Sequence, residues 1–243
     1  MPFIEIKNLK VSYQNNSITT LALNDVNVSF ISNKITAIVG PSGCGKTTLI
    51  KTICGFLDYE GMIYADGEDY SLCDYKKRNI SYVDQSTTLN PNIDLYNNIA
   101  ASLIINKIKR QEIDQRVKRM AAILGIERYL SLFPDQLSKG QCQLALLAKA
   151  MIKNPTLILF DEAFSSLDDM NKQRFFNLVK EQQKEYPFTM LFVTHNHDDL
   201  FALADYVVMM KNGTVDSAID KNDKRFNYMK EIMENNNGNN NEL

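Results

Sequence analysis

One short segment constrains the fold of this chain more than any other, because its glycine spacing is typical of a turn that connects a strand to a helix. Residues 40–48 read Gly-Pro-Ser-Gly-Cys-Gly-Lys-Thr-Thr and follow a nearly continuous apolar run at residues 35–39. Such a run is typical of a strand covered on both faces, and a stretch with helical character begins at Lys46. A strand, a glycine-rich turn and a helix in that order open a parallel α/β sheet. The sequence therefore predicts an α/β fold in which this turn follows a buried strand.

The same segment fits the pattern G-x-x-x-x-G-K-[ST] of phosphate-binding loops. Its glycines let backbone N–H groups approach phosphate oxygens, and the helix N-terminus adds favourable partial positive charge. We expect Lys46 to reach the β- and γ-phosphates of a nucleotide and the Thr47 hydroxyl to ligate Mg²⁺. The alternative is an ordinary glycine-rich loop. The predicted contact residues are Gly40, Pro41, Ser42, Gly43, Cys44, Gly45, Lys46, Thr47 and Thr48.

A second apolar run, at residues 157–160, ends in two carboxylates, Asp161 and Glu162. A buried strand places its last side chains at the carboxyl edge of the sheet, where α/β folds bind ligands. We expect Asp161 to hold Mg²⁺ through water and Glu162 to act on the attacking water as a general base. Taken alone, the pair could also be a solvated strand end.

The remaining pattern predicts an antiparallel strand layer, a helical insertion and a return to α/β structure. Short alternating runs in the first thirty residues favour antiparallel strands. Apolar residues spaced by three and four, from Ile113 to Leu124, indicate an amphipathic helix within a mostly helical stretch. Further predicted elements are a helix at residues 169–185, a strand at 189–193 and a hairpin turn at Asn212-Gly213.

Composition narrows the class of protein. The chain has 243 residues and a formal net charge of −2, which argues against nonspecific binding to nucleic acid. We find no apolar run that approaches the roughly 20 residues needed to span a bilayer. The cysteines have no metal-ligand spacing, so we expect reduced thiols at Cys44, Cys54, Cys73 and Cys142.

Residues 137–141, Leu-Ser-Lys-Gly-Gln, come just before another helical run. Their plain interpretation is that Ser138 caps the helix that follows. Taken in order, however, the phosphate loop, this segment and the strand with Asp161-Glu162 form a set. That set resembles the nucleotide-binding subunit of ATP-binding cassette (ABC) transporters, and the resemblance covers residues from about 3 to 216.

The resemblance implies roles for further residues. It implies that Tyr13 stacks on adenine, that Gln85 contacts Mg²⁺ and senses a membrane subunit, and that His195 lies at the γ-phosphate. It also implies that the segment at 137–141 closes over the ATP of a partner subunit. The nucleotide-contacting residues that it adds are Tyr13, Ser138, Gly140, Gln141 and Asp168. Alternatives are a strand aromatic for Tyr13, a polar loop residue for Gln85, and a metal pair formed by His195 with His197.

The implied fold is a P-loop NTPase core with an N-terminal antiparallel β layer and an inserted helical subdomain at about residues 88–152. We expect one domain over residues 1–234 and a disordered Asn-rich tail at 235–243. The implied protein is an ATPase that uses ATP and Mg²⁺, dimerises with a second ABC subunit on ATP, and drives small-solute import. Its expected partners are integral membrane transporter subunits and an extracytoplasmic solute-binding protein. Its expected location is the cytoplasmic face of the plasma membrane.

The sequence departs from the family pattern at Lys139, where glycine is usual, at Leu144, where arginine is common, and at Ala163, where proline is usual. Two alternatives to the transporter are a soluble ABC ATPase of a protein assembly, such as iron–sulfur cluster machinery, and a weakly active half of a heterodimer. Apolar residues near Gln85 could form a groove for a membrane subunit or belong to the core; they are Leu89, Ile93, Leu95 and Tyr96.

Overall fold

The computed structural model describes residues 4–15, 18–72 and 79–228. Its strands are β1 (Ile4–Asn15), β2 (Ile18–Phe30), β3 (Ile35–Val39), β4 (Glu60–Ala65), β5 (Glu68–Asp69), β6 (Ile80–Val83), β7 (Leu157–Asp161), β8 (Thr189–Val193), β9 (Tyr206–Lys211) and β10 (Thr214–Asp220). Its α-helices are α1 (Lys46–Cys54), α2 (Leu95–Ile105), α3 (Arg110–Leu124), α4 (Lys139–Met151), α5 (Asp169–Glu185) and α6 (His197–Leu203). The predicted α/β class is confirmed.

The chain groups into two compact units. We call residues 2–78 with 190–243 the P-loop unit, and residues 79–189 the helical unit. The helical subdomain expected at about 88–152 falls inside the helical unit, and its boundaries stay a prediction. The tail expected at 235–243 lies outside the described residues, as does Cys73.

The P-loop unit contains the expected antiparallel layer. β1 pairs antiparallel with β2, with Ile4 opposite Phe30, and the strand order is β2-β1-β4-β5. Leu9, Leu23 and Phe30 from this layer are buried. The alternating apolar pattern of the first thirty residues therefore predicted the sheet correctly.

The phosphate loop follows a buried parallel strand of the same unit. β3 lies between β8 and β9 and pairs parallel with both, and its residues from Ile35 to Ile38 are buried. β9 and β10 form an antiparallel hairpin whose turn residues, Asn212 and Gly213, both have positive φ. The predicted buried strand and hairpin are both confirmed, and the loop after β3 begins where the motif requires.

The helical unit combines a parallel strand pair, β6 and β7, with four helices, α2 to α5, among the residues that the structure describes. The apolar face predicted for α3 is the face that it buries; its members are Ile113, Val117, Met120, Ala121 and Leu124. Helix α5 has the bounds that the sequence predicted. These matches follow from strong 3.6-residue periodicity in both segments.

Two of the apolar residues near Gln85 belong to the core, because Leu89 and Leu95 are buried. Ile93 and Tyr96 are half-buried, and the Tyr96 hydroxyl donates a hydrogen bond to Asp114 on α3. Burial and that hydrogen bond raise the pKa of Tyr96 to about 12. Of the candidate groove, only Ile93 and Tyr96 therefore present partial surface. Among the described residues, no helix has the length and apolar character to cross a membrane.

Candidate functional site

The phosphate loop places a buried cation beside exposed backbone. The Lys46 ammonium donates hydrogen bonds to the carbonyl oxygens of Gly40 (2.7 Å) and Pro41 (2.8 Å), and the residue is only 6% exposed. Ser42 and Gly43, at the tip of the loop, are exposed, and so is Thr47 in the first turn of α1. The loop therefore curls around one ammonium group while its tip faces outward.

Gly40 is required by its surroundings as well as by its backbone. Its φ is +150°, and a Cβ built on it would lie 2.2 Å from the carbonyl oxygen of Met210 on β9. The loop is also bonded to the β9–β10 hairpin, because Gly213 N donates to the Cys44 carbonyl oxygen at 3.1 Å. The phosphate loop is thus held by the neighbouring hairpin of its own unit.

Tyr13, from β1, reaches the helix that begins in the loop. Its hydroxyl and the Thr48 hydroxyl share a hydrogen bond at 3.3 Å, and Tyr13 is 40% exposed. A partly exposed ring beside the phosphate loop is available for stacking on a base. The structure brings Tyr13 to this loop; its stacking on adenine stays a prediction.

In the helical unit, Asp161 ends β7 and is 5% exposed, and Glu162 follows it half-buried. Glu162 has φ +56°, a left-handed conformation that is uncommon for a side-chain-bearing residue and costs about 1–3 kcal/mol. The next segment is anchored by a cluster of aromatic rings around Phe164, with centroid distances of 5.5 Å to Phe160 and 5.4 Å to Phe175. Packing on both sides therefore holds Glu162 in a strained conformation.

Gln85, in the loop after β6, contacts the Glu162 carboxylate. Its Nε2 atom donates to Glu162 Oε2 at 2.5 Å, across 77 positions of the chain. Sequence reasoning picked out both residues but did not place them together. The structure thus connects two of the predicted catalytic side chains directly.

Asp84, which sequence reasoning missed, organises the loop around Gln85. Its side chain accepts hydrogen bonds from Ser86, Thr87 and Tyr82. Burial alone would raise the pKa of Asp84, but the hydrogen bonds from Thr87, Ser86 and Tyr82 outweigh it and hold the pKa below its ordinary range. An Asp followed by hydroxyl residues at the second and third positions was the available signal, because short polar side chains bond to nearby backbone in turns.

Ser138 caps α4, as the sequence predicted. Ser138 Oγ accepts from Gln141 N at 3.3 Å, and Gln141 Oε1 accepts from Ser138 N at 2.9 Å, which completes a capping box. Lys139 is exposed in the first turn, and Gly140 lies against Ser166, with 3.7 Å between its ideal Cβ position and the Ser166 carbonyl oxygen. The 137–141 segment therefore forms the start of a helix and lies against the loop that follows Glu162.

The two remaining predicted residues lie at helix starts. Asp168 caps α5, because its Oδ1 accepts from Asn171 N at 2.8 Å. His195 is exposed in the turn between β8 and α6. A hydrogen bond from Asn196 N to Thr194 Oγ1, at 3.0 Å, stabilises this turn. A nucleotide contact of either residue stays a prediction.

The side chains predicted to bind metal carry oxygen donors. Among the residues that the structure describes, no group of three or more His, Cys, Asp or Glu could hold a metal ion, so His195 and His197 do not form part of such a cluster. Mg²⁺ takes oxygen ligands, keeps several waters and is bound through few protein groups together with substrate phosphates. The Thr47 hydroxyl in the P-loop unit is an oxygen donor of that kind, and so are the Asp161 carboxylate and the Gln85 amide oxygen in the helical unit. Magnesium binding by these residues stays a prediction.

Comparison with known proteins agrees with this chemistry. A family model described as "ABC transporter" matches residues 23–165. The chain is 35% identical over 214 residues to Fe(3+) ions import ATP-binding protein FbpC 1 of Pectobacterium atrosepticum, covering 88% of this chain and 60% of that protein. It is 39% identical over 192 residues to molybdate/tungstate import ATP-binding protein WtpC of Pyrococcus abyssi, covering 79% of this chain and 56% of that protein.

A solved structure is similar over almost the whole cassette. It is the dimeric post-hydrolysis state of the ATP-binding cassette MJ0796 bound to ADP and Pi, with a TM-score of 0.81 and 26% identity over 89% of this chain and 98% of that one. The chain spans less than two thirds of the length of the curated relatives named above. The matched family region includes both the phosphate loop and the Asp161-Glu162 strand end. The chain belongs to the ABC transporter family.

Proposed function

We propose that this chain binds and hydrolyses ATP and that the released energy drives import of a small solute through separate membrane subunits. The observation that carries the proposal is the loop after β3, which closes on the buried Lys46 ammonium through two carbonyl contacts. Relatives whose names describe import ATP-binding proteins support the assignment to transport.

The P-loop unit supplies nucleotide binding. An ammonium held by two backbone carbonyls is desolvated but not charge-neutralised, so phosphate oxygens of ATP compete well for it. Backbone N–H groups of the loop and the α1 N-terminus add further donors. Tyr13 stacks on adenine. Thr47 and Asp161 would hold Mg²⁺, with Gln85 as an additional ligand, and the ion would offset the charge that develops on the phosphates.

The helical unit supplies the base. Glu162 accepts a proton from the attacking water while the bond between the β-phosphate oxygen and the γ-phosphorus breaks, which yields ADP and inorganic phosphate. His195 donates a hydrogen bond toward the γ-phosphate. Each ATP site is completed by the other subunit, through its Ser138, Gly140 and Asp168. Two ATP molecules therefore hold the dimer together. A dimeric structure of a similar cassette supports this arrangement.

The relatives' names support a shared energising role rather than a shared cargo. They describe import of a trivalent iron ion, of an oxyanion, and of a polyamine in the case of spermidine/putrescine import ATP-binding protein PotA of Haemophilus influenzae, which is 33% identical over 88% of this chain. We therefore propose a peripheral subunit at the cytoplasmic face of the membrane, working with membrane subunits and an extracytoplasmic solute-binding protein.

The chemistry is tested by measuring ATP binding and hydrolysis of the purified chain. Lys46→Ala should abolish measurable ATP binding, because it removes the cation inside the loop. Lys51→Ala is the matched control, since Lys51 lies on the same helix and follows the loop by more than one turn. Equal ATP binding by Lys46→Ala and wild type would refute the assignment of the loop.

The transport role is tested by affinity capture of the tagged chain from detergent-solubilised cells of its source. Recovery of a multi-span membrane protein is expected, and a co-purified solute-binding protein would narrow the cargo. Recovery of soluble proteins alone would refute the import role and favour an ABC ATPase of a soluble protein assembly, while the ATPase chemistry would stand.

A further inference from the structure

We infer that Asp84 is a positioning residue for ATP hydrolysis, which holds Gln85 in contact with the Glu162 carboxylate. The inference rests on the proposed function, because it gives Glu162 the role of general base. It goes beyond that function in adding a residue that acts through Gln85. Its basis is a set of hydrogen bonds on both sides of Gln85.

Asp84 closes a tight polar turn on the residues after Gln85. Its Oδ1 atom accepts from Ser86 N (3.1 Å), Ser86 Oγ (2.8 Å) and Thr87 Oγ1 (2.7 Å). Its own backbone N donates to Thr87 Oγ1 at 3.0 Å. The backbone on the C-terminal side of Gln85 is therefore bonded back to the residue on its N-terminal side.

The other carboxylate oxygen of Asp84 ties the turn to the strand before it. Tyr82 Oη donates to Asp84 Oδ2 at 3.1 Å, and Tyr82 lies in β6, which pairs with β7. Because Asp161 ends β7 and Glu162 follows it, the turn is fixed to the same strand pair that delivers the general base. One side chain thus couples the Gln85 backbone to the strand pair that leads to Glu162.

The Gln85 side chain needs such support because it is exposed. Holding a long polar side chain in one rotamer costs conformational entropy, and this cost can exceed what a typical net hydrogen bond returns at an exposed site. A fixed backbone reduces the number of conformations open to the Gln85 side chain, and so lowers the entropy lost when it forms the 2.5 Å contact to Glu162 Oε2. The contact in turn restricts the position of the Glu162 carboxylate.

The Glu162 side of the contact is anchored independently. Gln143 Nε2 donates to the Ala163 carbonyl oxygen at 2.7 Å, and Phe164 is buried among aromatic rings. Removing Asp84 therefore loosens Gln85 while leaving the Glu162 backbone supported. The expected effect is on the rate of the chemical step and not on ATP binding, because Lys46 and the loop that contacts it belong to the P-loop unit.

The test compares three variants of the full chain by ATP hydrolysis. Asp84→Ala should lower kcat by roughly tenfold with the KM for ATP unchanged, the scale seen when a supporting hydrogen bond behind a functional group is removed. Asp84→Asn keeps an acceptor oxygen for Ser86 and Thr87 and should retain kcat within about twofold. The matched control is Asp69→Ala. Asp69 Oδ1 accepts hydrogen bonds from Ser71 N (2.9 Å) and Ser71 Oγ (2.7 Å), as Asp84 Oδ1 does from Ser86, but Asp69 is not next to Gln85 in the sequence.

A second measurement follows the contact between Gln85 and Glu162 directly, by NMR of the Gln85 side-chain amide in the nucleotide-free protein. The Gln85→Ala variant assigns these signals, because they are missing from its spectrum. The signals should move toward those of a solvent-exposed glutamine in Asp84→Ala and stay unchanged in Asp84→Asn and Asp69→Ala. An active wild type together with wild-type kcat in Asp84→Ala would overturn the inference. A wild type without hydrolysis, under conditions in which it binds ATP, would instead overturn the proposed function.

Discussion

Replacing Gly40 by alanine should destabilise the P-loop unit by far more than the same replacement three residues later. A Cβ at Gly40 would lie 2.2 Å from the Met210 carbonyl oxygen and 2.9 Å from Cys44 Sγ, so the loop or the β9 backbone must move by about 1 Å. Overpacking of this kind costs roughly 1–3 kcal/mol, and the φ of +150° adds roughly 1–3 kcal/mol for a residue with a Cβ. The free energy of unfolding should therefore fall by about 2–6 kcal/mol.

Gly43→Ala is the matched control, because it lies in the same loop and also has a positive φ, +76°. Apart from Gly43 itself and its two chain neighbours, no heavy atom of the described residues lies within 4 Å of its ideal Cβ position, so only the conformational cost of about 1–2 kcal/mol remains. In thermal unfolding followed by circular dichroism, each kcal/mol should lower Tm by roughly 2–4 °C. Equal Tm values for Gly40→Ala and Gly43→Ala would show that a Cβ at Gly40 meets no steric clash, contrary to this prediction.

Three further changes test other parts of the structure. Ser138→Ala removes the α4 cap and should lower the free energy of unfolding by about 1 kcal/mol in urea titrations, whereas no loss would contradict the capping role. Leu144→Arg restores the residue common in the family, but Leu144 is 2% exposed here, so burying a charge should cost about 3 kcal/mol or more; unchanged stability would contradict that burial. Burial lowers the pKa of Lys153 in the folded protein below its ordinary value of 10.5. Between the folded-state pKa and 10.5, the unfolded chain binds more protons than the folded chain, so the free energy of unfolding rises with pH. Urea titrations from pH 7 to about 10 should show that this rise is smaller in Lys153→Met, and an identical pH slope would contradict the burial effect.

Much of the fold could be predicted because several segments carry an unambiguous period. The buried face of α3 and the bounds of α5 follow from spacing by three and four, and β3 and β7 follow from continuous apolar runs. Strand β4 was missed, because its first three residues are exposed and only Ile63 is buried. Its strand conformation depends on pairing with β1, and such long-range pairing is not encoded in the local pattern.

The candidate site was predictable residue by residue but not contact by contact. The motif at 40–48 and the carboxylates after β7 could be recognised because their chemistry depends on residue type and spacing. The link between Gln85 and Glu162 could not, since it spans 77 positions and depends on the pairing of β6 with β7. The Phe164 cluster was missed for the same reason, because aromatic packing is decided by tertiary structure.

We propose above that Glu162 is the base of an ATPase that closes as a dimer around ATP. The most direct test is to measure ATP turnover and solution mass of Glu162→Gln with ATP and Mg²⁺, by light scattering after size-exclusion chromatography. We expect turnover reduced by at least about a hundredfold, and an ATP-dependent species of about twice the 27.7 kDa chain mass. Wild-type turnover by Glu162→Gln would contradict the role of Glu162 as the base, and a monomer at saturating ATP would contradict closure as a dimer.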